Sequence, residues 1–232
     1  MNNESLAHKT DPQLSAAGAS ESGNRLASNQ VLVNTYRLLS MTLLFSGAVA
    51  VTSAMLKLPH PGLLLTLGGF IGLLFLTSYL KNSVWGLASV FALTGFMGYT
   101  LGPMLNFYLS MSSGPTIIAT AFTVTGGVFI GLSTYARKTE LKFVNMGNFL
   151  FIGILTAFML GLAAIFLEIP GLALAVSGLF VLLMSGLILY ETQNILAGGE
   201  TNYIMATVSL YVAIYNLFTS LLHLLGALGG DE

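Results

Sequence analysis

The chain has 232 residues, of which 55% are hydrophobic and only 7% are charged. A soluble domain averages about 25% charged residues, so this composition excludes an ordinary soluble protein and indicates a polytopic membrane protein. The net charge of −1 gives no basis for a nucleic-acid partner, and the absence of Cys excludes disulfides, a thiolate nucleophile and a Cys metal site.

Residues 1–30 differ from the rest of the chain. They are rich in Asn, Ser, Ala and Gly, with scattered charges and no apolar core of the kind that a signal peptide needs. We therefore expect no cleavage and predict a disordered cytoplasmic N-terminal tail, followed by a membrane domain over residues 31–232. The tail is either a segment without a binding role or a segment that a partner protein binds.

Seven apolar runs follow the tail, and each has the roughly 20 residues that a spanning helix needs. They predict an all-α integral membrane fold, a bundle of seven transmembrane helices. Most connections between the runs are short, so each helix is expected to run antiparallel to its neighbours in sequence. The predicted spans are 32–56, 60–80, 84–109, 115–136, 143–167, 171–190 and 203–228.

The distribution of Lys and Arg predicts the orientation of the bundle, because cytoplasmic loops are enriched in these residues. With seven spans, Lys57 alone falls on the side opposite the N terminus. We therefore expect a cytoplasmic N terminus and a C terminus on the outer side. The remaining positive residues fall on the N-terminal side: Lys9, Arg25, Arg37, Lys81, Arg137, Lys138 and Lys142.

Glycines four residues apart predict close helix packing, since small residues let helix backbones approach in lipid. Gly95, Gly98 and Gly102 form one groove on the third span. Pro103 cannot donate a backbone hydrogen bond, so it should kink this helix and free the carbonyl of Tyr99. The spacing of four occurs in three pairs: Gly68/Gly72, Gly98/Gly102 and Gly127/Gly131.

The last span carries a polar stripe within an otherwise apolar helix. Ser209, Ala213, Asn216, Ser220 and His223 fall within roughly 80° of one another on a helix. An unpaired polar group in hydrocarbon costs several kcal/mol, so this stripe must face protein or water. We therefore predict that the last helix lies inside the bundle.

Ionisable groups near the membrane are the main candidates for function. Glu191 follows the sixth span and is either a solvated helix-ending carboxylate or a partly buried acid that senses cytoplasmic pH. Glu200 is expected to cap the last helix. Asn216 favours an interhelical hydrogen bond over a ligand role, and His223 favours a neutral hydrogen bond over a proton relay. Catalytic motifs are absent, so we expect neither an enzyme nor a cofactor or metal site.

Several segments resemble the Bax inhibitor-1 family, also called the transmembrane BAX inhibitor motif family. They occur in the family's order and together the resemblance covers the chain from about Val31 to its end. The segments are NTYRLLSMT at 34–42, FMGYTLGP at 96–103, YETQNI at 190–195, GGETNYI at 198–204, and SLY with NLF at 209–211 and 216–218.

The resemblance implies a seven-helix bundle with a central last helix, in the bacterial inner membrane with a periplasmic C terminus. Some bacterial members bind and inhibit the membrane-anchored, ATP-dependent protease FtsH. Other members are pH-sensitive calcium leaks, gated by two aspartates that share a proton. The first of these corresponds to Glu191 and the second to Ala213, which cannot ionise. A modulator of FtsH is therefore the first expectation, a Ca²⁺ or H⁺ pathway at Glu191 the second, and a structural assembly factor the third.

Overall fold

The computed structural model describes residues 12–139 and 146–229. Within these two ranges the chain forms seven α-helices, each long and apolar enough to cross a membrane. The predicted all-α membrane fold is confirmed, and residues 143–145 of the predicted fifth span lie outside the described ranges. The helices are α1 Pro12–Met55, α2 Leu63–Leu80, α3 Trp85–Leu109, α4 Gly114–Lys138, α5 Met146–Phe166, α6 Pro170–Leu196 and α7 Tyr203–Gly229.

The first helix begins much earlier than the sequence predicted. α1 runs from Pro12, whereas we expected the first span to begin at residue 32. Residues 12–30, for which the sequence predicted disorder, are therefore helical in the structure. Hydropathy identifies the part of a helix that lies in lipid and does not mark the residue at which the helix begins or ends. For residues 1–11, which lie outside the described ranges, the disordered tail stays a prediction.

The sixth helix ends later than predicted, for the same reason. The apolar run stops at Tyr190, but α6 continues to Leu196. Glu191 therefore lies within the last turns of a helix and not in a connection. The remaining link to α7 is short, which fixes the positions of its side chains more tightly than a long loop would.

Successive helices run antiparallel, so the bundle has two ends. We call the end where α1 enters and α7 begins the entry face, and the opposite end the exit face. On the entry face, the side-chain amide of Asn202 donates hydrogen bonds to the Lys81 carbonyl oxygen (3.1 Å) and to Oδ1 of Asn82 (2.9 Å). On the exit face, the hydroxyl of Ser113 donates to the Gly229 carbonyl oxygen (3.2 Å). These bonds connect loops that are distant in sequence.

The last helix is the centre of the bundle, as predicted. α7 packs against α1, α3, α4 and α6, while α2 packs on α3 and α5 packs on α6. Leu210, Ala213 and Leu217 of α7 are completely buried. By contrast, α5 exposes large apolar side chains such as Phe149 and Phe151, which are suited to contact with lipid.

The tightest crossing joins α1 to α3 through the predicted glycine groove. A Cβ atom at Gly98 would overlap the carbonyl oxygen of Ser46, and one at Gly102 would overlap the side chain of Ser53. A Cβ atom at Gly95 would come within 2.9 Å of the ring of Phe45. The small residues therefore let two backbones approach where a methyl group would separate them.

The carbonyl oxygen that we expected Pro103 to free in α3 has a hydrogen-bond partner on α1. Pro103 lies inside α3, and the Tyr99 carbonyl oxygen that it leaves without a helical partner accepts a hydrogen bond from the Ser53 hydroxyl at 3.1 Å. One turn further on, the side-chain amide of Asn106 donates to the Ala54 carbonyl oxygen at 2.8 Å. Both bonds join α3 to α1, and the first of them satisfies the carbonyl oxygen that Pro103 leaves without a helical donor.

The two other glycine pairs do not pack against the described part of the chain. A Cβ atom at Gly68, Gly72, Gly127 or Gly131 would meet no atom within 4 Å. The expectation of close packing at these pairs is therefore wrong for contacts within the described residues. Spacing alone does not reveal which face of a helix a neighbour covers, and here the neighbours lie on other faces.

Substituting alanine for glycine should separate the packed glycines from the open ones. Gly98→Ala should lower stability by about 1–3 kcal/mol, because its new methyl group meets the α1 backbone. The matched control Gly127→Ala places the same group in open space and should be neutral or more stable by about 0.5–1 kcal/mol. Thermal unfolding of the purified proteins in detergent measures both changes. Equal shifts in the two variants would contradict the close α1–α3 approach.

Candidate functional site

The polar stripe of α7 contacts α6 at both of its ends. On the entry face, Ser209 is hydrogen bonded to Glu191 of α6. Towards the exit face, Nδ1 of His223 lies 2.7 Å from the hydroxyl of Ser177, also on α6. His223 thus contacts the neighbouring helix α6 through a ring nitrogen. The interface between α6 and α7 is the region where the predicted site residues meet.

The carboxylate of Glu191 lies in a partly buried polar pocket at the entry face. It accepts hydrogen bonds from the side chains of Ser209 and Asn194, and the negative charge of Glu200 is close enough to repel it. The side chain is neither fully exposed nor fully enclosed. Of the two interpretations that the sequence left open, the structure thus favours the partly buried acid over a carboxylate fully in water.

The link between α6 and α7 holds Glu200 in place. Oε1 of Glu200 accepts a hydrogen bond from the backbone N–H of Asn202 at 2.7 Å. Asn202 itself caps α7, because its Oδ1 accepts hydrogen bonds from the backbone N–H groups of Ile204 and Met205 at 3.0 and 3.1 Å. The cap that the sequence assigned to Glu200 is therefore made by Asn202, and Glu200 braces the capping residue.

The two titratable groups that we singled out are far apart. Ser209, which contacts Glu191, and His223 are separated by 14 positions on α7, or about 21 Å along a straight helix. Asn216 lies between them, and its side-chain amide donates to the Val212 carbonyl oxygen of its own helix at 2.8 Å, in place of the interhelical bond that we expected. The stripe therefore consists of separate local contacts and not of a continuous hydrogen-bonded relay.

Ala213 and Ser220 occupy the stripe as small, buried residues. The methyl group of Ala213 stands where the family resemblance implies an acid in the leaking members, and it is completely enclosed. The carboxylate that acts on Glu191 is instead Glu200, which comes from the connection before α7.

Two tyrosines in the middle of α7 were missed by the sequence reasoning. The hydroxyl of Tyr211 is 2.6 Å from the Ser46 hydroxyl of α1, and it donates to the Thr94 carbonyl oxygen of α3 at 3.3 Å. Tyr215 lies 3.1 Å from the Thr100 hydroxyl of α3. A tyrosine far from both ends of a span is the signal that could have identified them, because its hydroxyl needs a partner within the protein.

The fold and these contacts define a multi-pass membrane protein whose last helix is hydrogen bonded to its neighbours inside the bundle. Residues 28–230 match the profile of a family described as "Inhibitor of apoptosis-promoting Bax1". The chain belongs to this family, which is the one that its motifs resemble.

Known relatives match the chain over most of its length. A protein of Escherichia coli K12, named "Modulator of FtsH protease YccA", is 50% identical over 206 residues, which cover 89% of this chain and 94% of that protein. An uncharacterized protein of Pseudomonas aeruginosa is 52% identical over 202 residues, covering 87% and 91%. A Vibrio cholerae protein named "Uncharacterized membrane protein" is 44% identical over 208 residues, covering 89% and 93%.

Proposed function

We propose that this chain is an inner-membrane regulator that binds the membrane-anchored, ATP-dependent protease FtsH and restrains its degradation of membrane proteins. The supporting observation is the 50% identity to a modulator of this protease over 206 residues, which are 89% of this chain. A further Escherichia coli relative with the same identity is named "Inner membrane protein YccA", which supports the same location.

The long first helix supplies a physical basis for contact with a protease. α1 has 44 residues, or about 66 Å at 1.5 Å per residue, against a hydrocarbon core of about 30 Å. We call residues 12–30 the N-terminal arm. Within it, Arg25, Ala27, Asn29 and Gln30 are exposed, and Leu26 is 71% exposed. An exposed leucine on a polar helix that projects beyond the bundle offers an anchor for a partner.

The charge distribution supports a cytoplasmic location for the arm. In the described part of the chain, Arg37, Lys81 and Arg137 belong to the entry face, whereas Lys57 follows α1 on the exit face. Because positive residues accumulate on the cytoplasmic side, the arm points towards the cytoplasm and α7 ends at the outer side. A cytoplasmic ATPase ring that pulls on protein chains could then reach the arm.

Removing the arm should separate binding from folding. A variant that lacks residues 2–24 and carries Leu26→Gln loses most of the arm and its exposed leucine but retains the candidate span Arg25–Met55, so the bundle should keep its thermal unfolding temperature in detergent. The truncated protein should lose co-purification with FtsH and should turn over more slowly in cells. As a control, residues 2–24 are replaced by a shuffled sequence of the same composition, which tests whether length alone is enough. Unchanged co-purification and unchanged turnover of the truncated protein would contradict the role of the arm.

A pH-sensitive cation leak is the second candidate function. The observation that favours it is the pocket in which Glu191 accepts hydrogen bonds from Ser209 and Asn194 next to the charge of Glu200. Two carboxylates that repel each other can share a proton or attract a cation. The methyl group of Ala213 in the stripe argues against the two-aspartate gate of leaking members, so we rank this function below protease regulation.

Flux through liposomes tests the second candidate directly. If the protein conducts Ca²⁺, Glu191→Gln should reduce the flux by about tenfold and abolish its dependence on pH, because glutamine keeps the shape but not the charge. Glu168→Gln is the matched control, since Glu168 is an exposed carboxylate beside the end of α5. Absence of flux in the unaltered protein would eliminate the leak, and equal flux in all three proteins would eliminate Glu191 as its gate.

A further inference from the structure

A cleft on the entry face brings together two arginines that the proposed function does not use. It has a volume of about 530 Å³ and lies between α1, the last turn of α4 and the end of α6. Arg37 of α1 and Arg137 of α4 both line it, together with Tyr36, Ser40 and Leu196. No acidic residue among the described residues lines the cleft. Two positive charges therefore share one cavity without a carboxylate to neutralise them there.

The side chain of Arg137 is held in place by an aromatic contact. Its guanidinium carbon lies 4.9 Å from the ring centroid of Tyr36, within the range of a cation–π interaction. The Tyr36 ring packs edge-on against Phe129 at 5.8 Å, and its hydroxyl is 3.5 Å from that of Thr192. The Arg137 guanidinium thus lies on the Tyr36 ring, which α4 and α6 contact from two sides. Because this contact already restricts the Arg137 side chain, less conformational entropy is lost when its guanidinium binds a ligand.

The height of the cleft corresponds to the lipid headgroups. The 18 positions from Arg37 to Met55 at the end of α1 span about 27 Å, close to the thickness of the hydrocarbon core. Arg137 lies in the last turn of α4. Both guanidinium groups are therefore expected at the boundary between hydrocarbon and headgroups on the entry face.

The surface below the cleft suits acyl chains. Met41 and Leu44 lie one and two turns deeper than Arg37, on the same face of α1, and are 53% and 76% exposed. A positive site above an open apolar track matches an amphipathic ligand with a phosphate at one end. A free phosphate would contact only the arginines, and a soluble acidic peptide would leave the apolar surface of Met41 and Leu44 uncovered.

We propose that this cleft binds the phosphate of an anionic phospholipid of the entry-face leaflet between Arg37 and Arg137. Arginine forks bind phosphate oxygens in pairs, and basic pockets between transmembrane helices bind the headgroups of anionic lipids. Because the two arginines come from α1 and α4, a bound phosphate connects helices that are distant in sequence. A bound anionic lipid would therefore stabilise the bundle at the base of the N-terminal arm.

The test uses the full chain purified in a neutral detergent at fixed ionic strength. Phosphatidylglycerol, phosphatidylcholine or inorganic phosphate is added, bound lipid is counted by native mass spectrometry, and the unfolding temperature is recorded. We expect phosphatidylglycerol to bind and to raise the unfolding temperature more than phosphatidylcholine. Equal effects of the two lipids would overturn the proposal. An equal effect of inorganic phosphate would also overturn it, because the site would then recognise a free anion.

Substitutions show which residues bind phosphatidylglycerol. Arg37→Gln and Arg137→Gln should each weaken phosphatidylglycerol binding by about tenfold, since each removes a charge-assisted pair of hydrogen bonds. Lys138→Gln is the matched control, because Lys138 is the exposed neighbour of Arg137 but does not line the cleft. Arg37→Lys and Arg137→Lys keep the positive charge but remove the paired N–H donors of the guanidinium group, so they still test the site if the Gln variants fail to fold. Equal weakening by Lys138→Gln would show diffuse attraction and would refute a specific site.

Discussion

The structure depends on one constraint, namely that polar groups in a lipid environment must find their partners inside the protein. α7 carries more hydrogen-bonding side chains than a lipid-facing helix tolerates, and it satisfies them on three different neighbours. Tyr211 bonds to α1 and α3, Tyr215 to α3, and His223 to α6. The bonds therefore require α1, α3 and α6 all to lie next to α7. The central position of the last helix follows from the distribution of these groups around it.

The same constraint explains the contact between α1 and α3. Pro103 frees a carbonyl oxygen that would be costly in hydrocarbon, and Ser53 supplies the missing donor. The donor can reach this oxygen only because Gly98 and Gly102 let the two backbones approach. A proline, a hydroxyl and a glycine groove thus act together: loss of the hydroxyl would leave the Tyr99 carbonyl unpaired, and a larger residue in the groove would push the helices apart.

The sequence predicted the features that follow from local chemistry. It did not predict the features that depend on contacts between residues distant in sequence. The number of spans, the central α7 and the free carbonyl of Tyr99 could all be derived from hydropathy, a polar stripe and a proline. The start of α1 at Pro12 and the end of α6 at Leu196 could not, because hydropathy marks the lipid boundary and not the helix end. The proximity of Glu191 to Glu200 depends on how α6 extends beyond Tyr190, and the contact of Tyr211 with Ser46 depends on a crossing that no spacing reveals.

The groups that could meet a partner collect on the entry face, where the N-terminal arm, the Glu191 pocket and the arginine cleft all lie. The most direct test of protease regulation is site-specific photo-crosslinking in cells, with a photoreactive amino acid at Leu26 of the arm or at Leu228 near the end of α7. Both side chains are well exposed, at 71% and 81%, but they lie at opposite ends of the bundle. The account predicts an adduct with FtsH from position 26 and none from position 228. An adduct from position 228 alone, or from neither position, would contradict it.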